Sequence, residues 1–197
     1  MPRCREYDID HVLDQALNAF WLKGYAATSM ADLLKAMALS KSSFYECFGS
    51  KRAVLLAAIE RYSARGGSDL RSHFGAAGRI APLLAAWLHQ SIDPAAHRPG
   101  ERCGCLIINI AVELAPHDPE IETAVRKHLD GLATFLAEAV KRGQADGSMA
   151  AGIDPAAAAD RLLNLIAGLQ VLAKGGIERS RLASVIDACL ETLQPPN

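Results

Sequence analysis

The residues best suited to chemistry stand together in one short stretch, Cys103-Gly104-Cys105, directly before an apolar run that opens at Leu106. A thiol at a helix start feels the positive end of the helix dipole, and Arg102 is its neighbour in the chain. Both effects favour a nucleophilic sulfur that oxidants or electrophiles would attack. The competing reading is structural, because free cysteine is among the most commonly buried side chains. Grouped with His97 and His117, the two cysteines would form a metal-sensing cluster. A Cys-x-Cys pair with no second clean ligand pair is a poor zinc signature, however, and no metal is expected. No His or Asp stands at a spacing that marks an activated cysteine, so no catalytic residue and no cofactor are assigned.

A second group does the chemistry of contact rather than of reaction. Thr28, Ser29, Ser40, Lys41, Ser42, Ser43, Tyr45 and Lys51 are hydroxyls and cations gathered in 24 residues. Such side chains hydrogen-bond phosphate oxygens and base edges. The elements that would carry them are two short helices and a tight turn. Thr28 and Ser29 suit a helix start, with Asp32 three residues after Ser29 as a capping box requires. Met30, Leu33, Leu34 and Met37 then share one apolar face. Ala38 and Leu39 form the turn, and Ser40 caps a helix whose opening residues, Lys41, Ser42 and Ser43, are small or cationic and let that end approach DNA closely. Phe44, Cys47 and Phe48 form its inward face. Gly49 suits a left-handed helix stop, Ser50 caps the next helix, and Lys51 falls at a helix N-terminus that favours anions.

This segment resembles the DNA-binding segment of the TetR/AcrR family of bacterial one-component repressors. The resemblance is carried by Thr28, Leu33, Ser40, Lys41, Ser43, Tyr45, Phe48, Ser50 and Lys51. Ala38, Ser42, Glu46 and Cys47 depart from the family pattern, and Glu46 would repel phosphate. The resemblance implies that Lys41, Ser42, Ser43 and Tyr45 face the groove, that Lys41 or Ser43 reads bases, and that Thr28 and Lys51 hold phosphates. A second stretch, Gly104-Cys105-Leu106 with Asn109, Ala111, Glu113 and Asp118 to Val125, resembles the family's electrophile- and reactive-chlorine-responsive branch, of the N-ethylmaleimide type, and its acrylate-responsive relatives. That likeness implies a sensing role for Cys105, with Cys103 beside it and Lys174 near it. A lysine close to a Gly-Gly helix end is otherwise a solvated cation stabilising that end.

Around these sites the periodicity predicts an all-α fold. Residues 8–23 form the first helix of a three-helix head containing the helix-turn-helix, and a fourth helix runs from about Arg52 toward Gly66-Gly67. Further helices follow over about 80–91, 105–114, 119–144, 155–173 and 181–193. Asp118-Pro119 and Asp154-Pro155 read as helix starts. Trp87, Phe74, Leu83 and Leu84 are expected to pack in a core. The division expected is a DNA-binding domain at 1–50 and an effector-sensing and dimerisation domain at 51–197. The last two helices, rich in Ala and Leu, would pack either within the monomer or across a two-fold axis. The family resemblance favours the homodimer, whose two heads would demand a pseudo-palindromic operator in double-stranded DNA.

Composition excludes several classes. At 50% hydrophobic and 22% charged the chain is globular in type rather than disordered. Net charge is −1, so the bulk charge does not announce a nucleic-acid partner. Residues 1–66 carry 9 Lys/Arg against 7 Asp/Glu, a modest excess of the right sign. Five scattered cysteines do not resemble a secreted disulfide framework, and MPRCREYDID lacks an apolar leader. The longest apolar runs, 106–115 and 162–173, fall short of the roughly 20 residues that cross a bilayer. A cytoplasmic location and no membrane contact are expected. The rival classes are a small all-α cysteine-dependent enzyme and a helical protein-interaction module.

Overall fold

The computed structural model describes residues 8–93 and 103–195, and among these every regular element is a helix. The order is α1 (Ile9–Lys23), α2 (Met30–Met37), α3 (Lys41–Phe48), α4 (Lys51–Gly75), α5 (Ile80–Ser91), α6 (Leu106–Glu113), a 3-10 turn (Ala115–His117), α7 (Pro119–Ala145), α8 (Pro155–Lys174) and α9 (Arg179–Glu191). Cys4, His97 and Arg102 lie outside the described residues.

The chain divides into two compact units. The first comprises 1–66 with 106–126, and the second 67–105 with 127–197. The short α6 and the start of α7 thus belong with the head. Helix α4 also runs through the Gly66-Gly67 pair at which it was expected to stop. Each glycine costs a helix about 1 kcal/mol relative to alanine but does not end it. Beyond the pair, Leu70 and Phe74 pack into the second unit's core, which offsets that cost.

In the first unit α1 packs against α2 and α6. Val12, Ala16, Leu17 and Phe20 form the buried stripe of α1, at helical spacing. Leu33, Met37, Leu39, Phe44, Val54, Leu55, Ala58 and Ile59 are also buried. Arg61 ties α4 to α1, pairing with both oxygens of Asp14 at 2.5 and 2.8 Å. This fork-on-carboxylate contact fixes the angle between two helices that apolar packing alone leaves free to slide.

The second unit is built around Phe74, which meets Trp87 and Phe135 edge-on at 6.2 and 5.2 Å between ring centroids. Leu84, Leu88, Leu136, Val140, Leu162 and Ile186 complete the same core. Helix α5 has no cap of its own. Its first N–H groups are taken instead by Asp146 (Ile80 N–H, 2.8 Å) and the Ser148 hydroxyl (Ala81 N–H, 3.1 Å) on the loop after α7. Helix α8 starts as expected, with Asp154 accepting from the N–H groups of Ala156 and Ala157 and Pro155 in the first turn. At 20 residues with mean hydropathy 1.3 it is longer than the apolar run read from sequence, and long and apolar enough to cross a membrane. Ala158, Ala159, Leu162, Ile166 and Leu169 lie buried in the core, which accounts for its apolar character on that side.

Replacing Leu136 by Ala removes a fully buried side chain from this core and is expected to cost about 2–5 kcal/mol, read as a lowered urea midpoint.

Candidate nucleic-acid interface and sensor

The candidate interface rests on two helices of eight residues each. Ser29 and Asp32 cap α2 reciprocally: the Asp32 N–H donates to Ser29 Oγ at 3.1 Å, and the Ser29 N–H to Asp32 Oδ2 at 3.0 Å. Lys23 adds an ion pair to Asp32 at 2.8 Å. The turn residue Ala38 takes the left-handed conformation, φ 52° and ψ 37°. Ser40 then caps α3, accepting the Ser43 N–H at 3.1 Å. The helix ends at Gly49, whose φ of 74° lies where glycine is favoured. Ser50 next accepts the Ala53 N–H at 3.0 Å at the start of α4.

This frame presents only part of the expected contact set. Lys41, Ser42 and Tyr45 are exposed, as are Ser29 and Ser40. Ser43 is not. It is 7% exposed, and its hydroxyl lies 2.9 Å from that of Ser40, within the capping network of α3. Thr28 is wholly buried, and its hydroxyl donates to the Gly24 carbonyl at 2.6 Å. Lys51 is likewise committed. Its Nζ donates to the Tyr25 carbonyl at 2.6 Å and lies 4.2 Å from the centre of the Tyr25 ring. Partial burial pushes its pKa down, against the opposing charge of Glu113.

Three carboxylates that sequence reasoning did not single out as functional complete the first unit. Glu113, the last residue of α6, accepts the N–H groups of Tyr25 at 3.1 Å and Ala26 at 2.7 Å. Asp118 grips Arg52 with both oxygens, at 2.6 and 2.7 Å, and Glu120 adds a further contact at 2.7 Å. The sequence did carry one sign of Glu113's involvement: a carboxylate at a helix C-terminus faces the negative end of the dipole and needs a partner elsewhere.

In the second unit Cys103 is buried and Cys105 half-buried, and neither is in a disulfide. Gly104 between them has φ +62°. A Cβ there would stand 3.1 Å from the Gln170 carbonyl and 3.4 Å from the Lys174 side chain. A side chain there would be strained by the positive φ and would need a few tenths of an ångström from the Gln170 backbone, and the stem of Lys174 lies against Gly104. Gln170 is held in turn by a 3.0 Å bond to the Ser91 carbonyl. Among the described residues no group of three or more His, Cys, Asp or Glu is placed to hold a metal ion.

A capped helix-turn-helix with a cationic exposed tip, joined to a helical body, defines a DNA-binding transcriptional regulator rather than an enzyme. Comparison with known proteins makes the assignment specific. Residues 12–58 match the family described as bacterial regulatory proteins, tetR family, and residues 76–193 match the tetracyclin repressor-like C-terminal domain. The chain belongs to the TetR family. It is 27% identical over 194 residues to the uncharacterized HTH-type transcriptional regulator YezE of Bacillus subtilis (strain 168), covering 98% of this chain and 100% of that one. The HTH-type transcriptional repressor NemR of Escherichia coli (strain K12) is 24% identical over 176 residues, 88% of each chain. Among solved structures, a double cysteine mutant of the TetR family transcriptional regulator CifR, complexed with 26bp double-strand operator DNA, is 28% identical, with TM-score 0.82 over 97% of this chain and 98% of that one.

The Arg52 guanidinium holds the Asp118 carboxyl well below the usual carboxylate range. A lowered folded-state pKa contributes stability that is present above the unfolded value of about 4 and is lost as pH falls through the folded value. Acid titration followed by circular dichroism should therefore show stability declining below about pH 4, with a shallower decline in Asp118→Asn.

Proposed function

We propose that the chain is a homodimeric, cytoplasmic repressor that binds a pseudo-palindromic operator through the tip of α3 and leaves it when a reactive electrophile or oxidant, or another small ligand, acts on the body. The observation carrying the DNA half is the exposed Lys41–Ser42 tip on a helix fixed by Ser40 and Gly49 at its two ends. Lys41 supplies charge to phosphate or a donor to a base edge; Ser42, Ser40 and Ser29 supply hydroxyls, and Tyr45 lies a turn further on the same exposed face. In this reading residues 1–50 bind DNA and 51–197 sense and dimerise.

Dimerisation is supported by α8 and α9. Val171, Leu172 and Val185 are large apolar side chains left 54%, 48% and 47% exposed, although the opposite faces of these helices are packed in the core. A two-fold partner would cover them and set two α3 tips on successive major grooves, about 34 Å apart.

Sensing is supported by the seat of Gly104 against Gln170 and Lys174. Alkylation at Cys105 adds its sulfur to the electrophile's carbon, while the thiol proton goes to the neighbouring carbon. The adduct then has to be accommodated beside the close approach of Gly104 to Gln170 and Lys174. Hypochlorous acid transfers its oxygen to the sulfur, chloride and a proton leave, and the product is a sulfenic acid for which Lys174, whose stem lies against Gly104, would be a hydrogen-bond donor, with Cys103 two residues away.

Lys41→Ala should weaken binding to every duplex and lower the slope of log affinity against log salt by about one unit. Cys105→Ser should bind DNA as the native protein does, yet no longer release it after N-ethylmaleimide or hypochlorous acid. An unaltered release in the gel shift sinks the sensing assignment.

A further inference from the structure

Glu113 lies in a stretch that points to the sensing branch, but neither thiol chemistry nor groove contact gives it a task. We infer that Glu113 is a positioning residue for DNA reading: its carboxylate closes the helix-turn-helix into a fixed loop by holding the peptide of Tyr25. This rests on the reading that α3 contacts DNA.

Tyr25 stands just before the segment and Lys51 just after it. The two are joined through Lys51 Nζ and the Tyr25 carbonyl at 2.6 Å, so the entry to α2 and the exit from α3 meet at one peptide. The Thr28 N–H reaches the same carbonyl at 3.2 Å. From the other side Glu113 takes the Tyr25 N–H on one oxygen and the Ala26 N–H on the other. Tyr25 is thereby pinned at both its donor and its acceptor.

The contact needs a carboxylate. Two N–H donors ask for two acceptor oxygens, and a glutamine would turn an NH2 group toward one of them. Gly24 is shaped to admit it: with φ +82°, a Cβ at this position would be strained and would stand 3.2 Å from Glu113 Oε2. These donors lie just past Gly24, the C-cap of α1, where the chain has left the helical path, and their acceptors are the two oxygens of Glu113. A carboxylate offered from α6, 87 residues further along the chain, meets that need and adds charge to the bond.

Losing the clasp frees the loop without removing any side chain that faces DNA. Sequence-specific binding requires the α3 tip and the phosphate contacts in one fixed register, whereas non-specific binding follows charge and tolerates a looser arrangement. The ratio of the two affinities separates positioning from mere folding.

The test compares native protein, Glu113→Gln and Glu60→Gln, which makes the same charge change on an exposed side chain of α4 in the same unit. The probes are the tightest duplex the native protein selects from a randomised pool and a mixed-sequence duplex at the same salt. Glu113→Gln should lose about tenfold on the selected duplex and little on the mixed one, while Glu60→Gln keeps the native ratio. Equal behaviour of the two variants, or a parallel loss on both duplexes, would overturn the inference. Should Glu113→Gln not fold, Glu113→Asp, which keeps the charge but withdraws it by one methylene, decides by the same ratio. Selection of no duplex by the native protein would overturn both the clasp and the DNA-reading assignment.

Discussion

A helix of eight residues does not hold itself together in water. Nucleation is unfavourable and a run of two turns recovers little of its cost, so isolated helices shorter than about 12–15 residues are marginal. Helices α2 and α3 are both of this length, and whatever α3 does depends on supports outside it. Those supports are of three kinds. The serines at positions 29 and 40 satisfy N-terminal donors, Leu33, Met37 and Phe44 sink into the interior, and the bond between Tyr25 and Lys51 ties the ends of the segment. The larger helices of the first unit supply the surface against which this is possible. Arg61 with Asp14, and Arg52 with Asp118, keep that surface in one arrangement.

What the sequence revealed and what it hid divide along the distance between interacting residues. Caps, glycine stops and helical periodicity act within three or four positions, so Ser29 with Asp32, Ser40 with Ser43 and the stop at Gly49 were all legible in the chain itself. The direction in which a hydroxyl turns is not local. Thr28 and Ser43 carry the residue types of a DNA contact, but neighbouring carbonyl and hydroxyl groups draw them inward. Lys51 was placed correctly at the start of α4, while its partner, a carbonyl 26 positions earlier, could not be read from spacing. The Glu113 contact spans 87 and 88 positions and left only the oddity of an acid at the wrong end of a helix. The overrun of α4 past its glycine pair has the same origin, since Phe74 repays a local weakness with a distant core.

The second unit shows the reverse case, in which a distant contact explains a local sequence choice. Gly104 between two cysteines reads as a simple spacer until α8 is seen behind it, close enough that a side chain would be crowded. Cys103 and Cys105 are therefore held on a segment that can neither thicken nor shift toward α8 without moving Gln170, which is itself bonded to the end of α5.

Ala38 has a consequence of its own. Glycine in a turn roams over both signs of φ; alanine in the left-handed well is shut into a small basin and gives up roughly 1–2 kcal/mol for being there. The angle between α2 and α3 accordingly has less play than a glycine would leave it. A reading head with a stiff wrist tolerates fewer spellings of its target, and tolerance for degenerate sites would then be set at this alanine, which has no need to touch a base.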